Sequence, residues 1–184
     1  MKSVILPAVL SLTAALALQV GLTTKAKASE QDKRFFHSIE GQWSGPGEIV
    51  AGKYKGTKFN CNFVGSTPAE EIGMTLDGGC RVGVFTQKMS AVIEHKSRQG
   101  YRGTFMGGAK GAGLDVVGGN VVNARKVVFA INRNELRGVM QARVPTDNSM
   151  IVTVSVRVGD QLVPVIGMNL KRIDAVAVGS VAAN

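Results

Sequence analysis

From about Gly41 onward, apolar and polar residues alternate along this chain with a period of two. Phe59, Cys61 and Phe63 alternate with asparagines, and the stretch 150–158 alternates methionine and valine with mostly polar residues. A period of two places every second side chain on one face of a β-strand, whereas a helix repeats every ~3.6 residues. The pattern therefore predicts strands throughout, each with one buried face.

Turn signals rich in glycine, asparagine and aspartate separate these strands at short intervals. They lie at Asp77–Gly79, Gln99–Gly100, Gly118–Asn120, Asn132–Asn134, Pro145–Ser149 and Gly159–Asp160. Strands joined by such short turns are antiparallel neighbours, and a long meander has two open edges unless the sheet closes on itself. We therefore expect an all-β protein, an antiparallel up-and-down β-barrel of 8–10 strands, with a short N-terminal helix over Gln31–Ile39.

The N-terminal region has the features of a secretory leader. Lys2 precedes an almost uncharged apolar run from Val4 to Leu22, and Ala26-Lys27-Ala28 gives the small-x-small cleavage pattern. We expect a signal peptide over 1–28, a single β-barrel domain over 29–184, and a periplasmic or secreted protein. The alternative is an uncleaved anchor, because the run nearly reaches the ~20 residues that cross a bilayer. No membrane span is expected in the mature chain.

The charge is modestly basic and dispersed. The formal net charge is +9, and it is +6 without the three lysines of the leader. Because the basic residues do not form a run and the chain carries an export signal, nucleic acid is not an expected partner. Lipid head groups, an anionic envelope polymer or the acidic face of an envelope protein are the partners that this charge favours.

Cys61 and Cys80 are the only cysteines. An even pair in an exported chain is expected to form a disulfide, because that compartment is oxidising. The alternative, a metal pair, needs further ligands, and the only histidines, His37 and His95, lack the spacing of a zinc site. No metal site is expected.

The segment 35–45 reads Phe-Phe-His-Ser-Ile-Glu-Gly-Gln-Trp-Ser-Gly. It resembles the calycin superfamily, which includes the lipocalins, where a short helix leads into Gly-x-Trp on the first strand. Here that motif is Gly41-Gln42-Trp43. The resemblance implies that Trp43 closes one end of the barrel. It also implies that a basic residue of the last strand, Arg172 in the expected strand Ile166–Ile173, packs across the indole.

Two further resemblances start from the same tryptophan. The run Gly41–Gly47 resembles the opening of nitrobindin-like haem barrels, but those carry a late axial histidine and this chain has none after His95, so no cofactor is expected. Bacterial metalloprotease-inhibitor barrels share Gly-x-Trp and one disulfide, which makes a protease inhibitor the alternative function. That reading implies a projecting segment near 29–33, although the Trp43 to Cys61 interval is wide for that family.

The inward stripes of the predicted strands suggest a cavity for a small apolar or amphipathic ligand. The residues expected to line it are Phe85, Met89, Ile93, Phe105, Phe129 and Met140. No nucleophile elbow, carboxylate pair or metal motif is present in the sequence, so a non-enzymatic binding protein without catalytic residues is expected. Two alternatives stay open: a filled barrel that serves as a cell-envelope protein, and an enzyme in which Glu94, His95 and Tyr101 converge inside the barrel.

Overall fold

A computed structural model of the protein describes residues 30–96, 100–107 and 113–173. One helix, α1, spans 30–38 and precedes ten strands. The strands are β1 (Gly41–Ile49), β2 (Lys58–Ser66), β3 (Gly73–Val82), β4 (Phe85–Lys96), β5 (Gly100–Gly107), β6 (Leu114–Asn123), β7 (Lys126–Arg133), β8 (Leu136–Thr146), β9 (Ser149–Val158) and β10 (Gln161–Arg172). The predicted all-β class and short N-terminal helix are confirmed. The signal peptide predicted at 1–28 lies outside the described residues.

The strands form a closed antiparallel up-and-down barrel. Each strand pairs with its neighbours in sequence, and β1 pairs with β10 to close the sheet. At this seam Trp43 lies opposite Arg172 and Gly47 lies opposite Met168. Closure leaves neither β1 nor β10 as a free edge, which is the physical reason for expecting a barrel from a long meander.

Alternation along the strands separates the interior from the surface. In β7, Val127, Phe129 and Ile131 are buried and the residues between them are half-buried. In β2, Cys61 and Phe63 are buried between exposed asparagine and valine neighbours. The period of two in the sequence is therefore the pleat of the barrel wall.

Two of the six predicted turns are wrong. Asp77–Gly79 lies inside β3 and Gly118–Asn120 inside β6. A side chain at Gly78 would collide with the carbonyl oxygen of Asn62 across the β2–β3 pair, and β6 shifts register between Val116 and Gly118. Glycine serves here for the close approach and bending of strands, a role that composition alone does not separate from a turn.

The meander gives the barrel two different ends. Helix α1 packs at one, here called the helix end, where β2, β4, β6, β8 and β10 also end; β1, β3, β5, β7 and β9 end at the other, the far end. Phe35, Phe36 and Ile39 of the helical segment are buried against the barrel. Among the described residues, no helix has the length and apolar character needed to cross a membrane.

Candidate functional site

An apolar cavity of about 90 Å³ lies inside the barrel next to α1. Its walls come from the helical segment and from eight strands. The lining side chains are Phe35, Ile39, Phe63, Met74, Leu76, Met89, Phe105, Val127, Phe129, Met140, Ala142, Met150, Val152, Met168 and Leu170. All fifteen are apolar, so a polar or charged group placed among them would lose its hydrogen bonds to water without replacement. The cavity therefore accepts apolar groups only.

Methionine dominates this lining. Five of the seven methionines in the chain point into the cavity. Methionine is unbranched, has three rotatable side-chain bonds and carries a polarizable sulfur, so it adapts to the shape of a neighbour and contacts aromatic groups favourably. The wall of this cavity can therefore rearrange around a guest more readily than a wall of leucine and valine.

The disulfide lies beside the cavity and is confirmed. Cys61 and Cys80 are directly opposite each other in the β2–β3 pair, with their Cα atoms 4.0 Å apart. The Cys61 sulfur is 3.8 Å from the sulfur of Met168, and the Cys80 sulfur is 3.5 Å from that of Met89. The bridge therefore fixes two adjacent strands where they carry or contact cavity methionines.

Trp43 and Arg172 close the helix end, as the calycin resemblance implies. The Trp43 ring is fully buried and its Nε1 donates to the carbonyl oxygen of Ile39 at 2.9 Å. The Arg172 guanidinium lies 4.4 Å from the centroid of the Trp43 ring. It also donates hydrogen bonds to three carbonyl oxygens, those of Ser38, Glu40 and Asp147. A cation suits this position because the last carbonyls of a helix lack partners within the helix.

A second polar contact anchors the start of α1. The Tyr101 hydroxyl, inside the barrel end, donates to the Asp32 carboxylate at 2.5 Å, and Gln31 donates from Nε2 to the carbonyl oxygen of Val121. Burial raises the pKa of the Tyr101 hydroxyl strongly, and the hydrogen bond to Asp32 and its negative charge raise it further. Helix α1 is therefore held to the barrel at both of its ends. Nothing in the sequence pattern had indicated the Asp32–Tyr101 pair, which is 69 residues apart along the chain.

The residues predicted to line the interior fall into three groups. Met89, Phe105, Phe129 and Met140 line the cavity. Ile93 is fully buried in the barrel but is not part of the cavity lining. The prediction that Phe85 lies in the interior is wrong, because its side chain is 79 % exposed at the start of β4.

The physical reason for the Phe85 error is depth. Phe85 lies an even number of residues from Met89 and Ile93 and so belongs to the same face of β4. It pairs, however, with Val82, next to the turn of the β3–β4 hairpin. That pair lies at the far end, past the level at which the barrel covers its interior. The odd or even position of a residue along a strand predicts the face to which its side chain belongs. Its exposure also depends on how far along the barrel axis the residue lies.

The groups considered for catalysis do not converge. Tyr101 points to Asp32 inside the helix end, while His95 is exposed and touches the Tyr101 ring at its edge, 5.1 Å between centroids. Glu94 pairs with Lys96 at the surface. His37 is exposed and contacts Glu40. Within residues 30–96, 100–107 and 113–173, no three His, Cys, Asp or Glu side chains are grouped closely enough to hold a metal ion.

The segment that the inhibitor resemblance makes a projecting arm belongs to α1. Residues 30–33 are helical, and Gln31 and Asp32 are hydrogen bonded to the barrel. A helix that is fixed at this position fills the barrel end. This arrangement gives no support to an arm that enters a protease cleft.

No protein-family model and no curated protein matches the sequence. The barrel is similar to a solved structure, that of the S-type phycobiliprotein lyase CPES from Guillardia theta. The match has a TM-score of 0.54 at 11 % sequence identity and covers 82 % of this chain and 97 % of that one. At this identity the likeness concerns the fold alone, which in this chain is a closed ten-stranded antiparallel barrel.

Proposed function

We propose that this protein is an exported, non-enzymatic binding protein that takes a small apolar molecule, or the apolar end of an amphipathic one, into the methionine-lined cavity. The observation that carries the proposal is the cavity itself, an internal space whose fifteen lining side chains are all apolar. An interior built only for stability is expected to be filled, because protein cores are packed about as densely as organic crystals. A persistent void beside five adaptable side chains favours a guest.

The size of the cavity limits the guest. A volume of about 90 Å³ is below the roughly 150 Å³ of an engineered apolar cavity that binds benzene, and well below the roughly 300 Å³ of a small drug-binding site. An apolar group smaller than benzene enters with little change. An aromatic ring such as that of fluorobenzene, or a longer chain, enters only if methionine side chains such as Met140 and Met168 move aside, which their three rotatable bonds allow.

The surroundings of the cavity separate rigid from adaptable parts. The Cys61–Cys80 bridge fixes β2 to β3, and Arg172 ties the end of α1 to β1 and β10. Two of the cavity methionines, Met89 and Met168, contact the bridge through their sulfur atoms. Binding then costs side-chain rearrangement and little backbone ordering, which preserves affinity for a small ligand.

Two features favour export. The first is the leader pattern at 1–28. The second is the disulfide, which is typical of an oxidising compartment. Together they favour a periplasmic or secreted binding protein.

Native mass spectrometry of the protein purified from an exporting host, followed by organic extraction, tests the proposal directly. We expect a bound small molecule that is released into the organic phase, or, where purification strips it, one binding site for fluorobenzene by ¹⁹F NMR. A bare mass combined with no saturable fluorobenzene binding would contradict a ligand function and favour a barrel that works through its surface.

A pair of matched variants tests whether the ligand binds in this cavity. Ala142 lines the cavity, whereas Ala130 lies on the neighbouring strand β7 and faces outward, on the other parity from the buried Val127 and Phe129. Ala142→Leu adds bulk inside the cavity and should weaken fluorobenzene binding at least fivefold. Ala130→Leu adds the same bulk outside and should change it less than twofold. Equal effects of the two variants would place binding elsewhere.

A further inference from the structure

The far end of the barrel carries the most exposed large apolar side chains of the described chain. These are Val84 at 88 %, Phe85 at 79 %, Tyr54 at 63 % and Val158 at 61 %. Leu136 and Leu162 are also exposed, at 44 % and 46 %. All six belong to the connections β1–β2, β3–β4, β7–β8 and β9–β10 or to the strand ends next to them. We call this set the apolar rim.

The apolar rim is not required by the packing of the barrel. Val84 belongs to the β3–β4 turn and Phe85 to the strand end next to it, and neither residue lines the cavity. At the helix end the large side chains Phe35 and Phe36 are buried, and the exposed apolar ones, Val122 and Ile173, reach only 45 % and 39 % exposure. Several large apolar side chains gathered at one end of a protein mark a contact surface.

Basic residues surround the apolar rim. The ranges 48–58, 81–88, 133–137 and 157–162 contain eight lysines and arginines and three acidic residues. We call the eight the basic belt, and all of them are exposed. Lys53 lies over the Tyr54 ring, 5.6 Å from its centroid, so charge and apolar surface are directly adjacent.

We infer that the far end docks on an anionic lipid surface, with the apolar rim in the head-group layer and the basic belt against lipid phosphates. Exposed apolar side chains with lysine and arginine next to them fit the boundary between acyl chains and head groups. The basic belt supplies attraction to anionic lipid that a neutral bilayer lacks. The inference goes beyond the proposed function and does not depend on a ligand in the cavity.

Charge also favours lipid over a second copy of the chain. A symmetric dimer through the apolar rim would bring two basic belts face to face, because a two-fold interface uses the same patch on both subunits. Like charges brought together in this way oppose association. The apolar rim also consists of separate hairpin ends, which suit a soft surface better than a flat, complementary protein face.

The test is co-sedimentation of the protein, as recovered from an exporting host, with two kinds of vesicle. One contains phosphatidylglycerol and phosphatidylethanolamine at a ratio of 30:70, and the other contains phosphatidylcholine alone. We expect binding to the anionic vesicles, at least tenfold weaker binding to the neutral ones, and a loss of binding at high salt. Intact mass fixes the N-terminus of the preparation, so that all variants are compared in the same form.

Two double variants locate the contact. Val84→Ser with Phe85→Ser removes the tip of the apolar rim and should weaken binding to the anionic vesicles at least tenfold. Val64→Ser with Val92→Ser removes two exposed valines from the barrel wall and should change binding less than twofold. Trp43 fluorescence and the melting temperature verify that both fold.

Three results would overturn the inference. The first is the absence of binding to anionic vesicles, and the second is undiminished binding of the rim variant. The third is a dimer in lipid-free solution that the rim variant dissociates, since the apolar rim would then serve a second copy. None of these results bears on fluorobenzene binding in the cavity, so failure here and failure of the proposed function are distinguishable.

Discussion

Arg172 lies across the face of Trp43, with the guanidinium carbon 4.4 Å from the ring centroid, and the two residues are also direct partners in the β1–β10 register. One contact therefore joins the strand that opens the barrel to the strand that completes it. The same guanidinium donates to the last carbonyls of the helical segment. A single side chain thus contributes both to the seam of the barrel and to the closure of its helix end.

We predict that Arg172→Ala lowers the free energy of unfolding by about 2–4 kcal/mol, since it loses a cation–π contact and charged hydrogen bonds together. Because Trp43 is the only tryptophan, its fluorescence reports this site specifically. Urea unfolding followed by that signal gives the measurement. Lys171→Ala, at the exposed neighbouring position, is the control and should change stability by less than about 0.5 kcal/mol. An equal loss in both variants would argue against the special role of Arg172.

The disulfide gives a second prediction. Cys61 and Cys80 close a loop with a separation of 19 residues, for which the chain-entropy argument gives roughly 3 kcal/mol of stabilisation. The double variant Cys61→Ala with Cys80→Ala should lose about that amount and keep the far-ultraviolet circular dichroism of the barrel. Alanine is the right replacement because both positions are buried among apolar side chains. A double variant that is fully unfolded would show that the bridge is needed for folding itself.

Tyr101 gives a prediction on pH. Its hydroxyl stays protonated in the folded protein because its pKa is raised, whereas a tyrosine in the unfolded chain ionises near pH ~10. Above that pH the unfolded state binds fewer protons than the folded state, so stability falls as pH rises. Below about pH 10 this contribution is fully present.

Absorbance at 295 nm follows tyrosine ionisation and so tests this prediction. In a Tyr54→Phe background, Tyr101 is the only tyrosine left, and its ionisation should coincide with unfolding as seen by Trp43 fluorescence. Ionisation well before unfolding would contradict the buried position and the hydrogen bond to Asp32. Asp32→Asn removes the carboxylate charge and should bring the two transitions closer to neutral pH by destabilising the attachment of α1.

Glycine positions allow a test of barrel curvature. A Cβ atom at Gly78 would collide with backbone atoms of β2, whereas one at Gly167 in β10 would meet nothing within 4 Å. Gly78→Ala should therefore cost about 1–3 kcal/mol as an overpacked site. Gly167→Ala should be neutral or slightly stabilising. Thermal unfolding of the two variants is the measurement, and equal melting temperatures would show that β2 and β3 separate at little cost.

Much of the architecture could be predicted from the sequence because it depends on local rules. Alternation indicates the face of each strand, short connections enforce antiparallel neighbours, and a long meander closes to remove its edges. The Cys61–Cys80 bridge was expected from the export signal in the sequence, and the Trp43–Arg172 contact from the resemblance to the calycins. Both are present.

The cavity could be predicted only in part. Alternation along a strand indicates which side chains face inward but not how deep in the barrel they lie. The expected lining includes Met89 and Met140 but not Met74, Met150 and Met168, which also line the cavity. Phe85 belongs to the inward face of β4 by its position in the alternation, yet it lies at the exposed apolar rim. Depth depends on how all ten strands stagger around the barrel and on how far α1 enters it, and both are properties of the whole assembly.

The number of strands is even, and this sets where the described chain begins and ends. Helix α1 leads into β1 at the helix end, and β10 returns to the same end beside Trp43. Fusion partners, labels or surface attachment placed before α1 or after Ile173 would therefore all leave the opposite face of the molecule unobstructed. A sensor chip that holds the described barrel by either flank presents the same hairpins to solution.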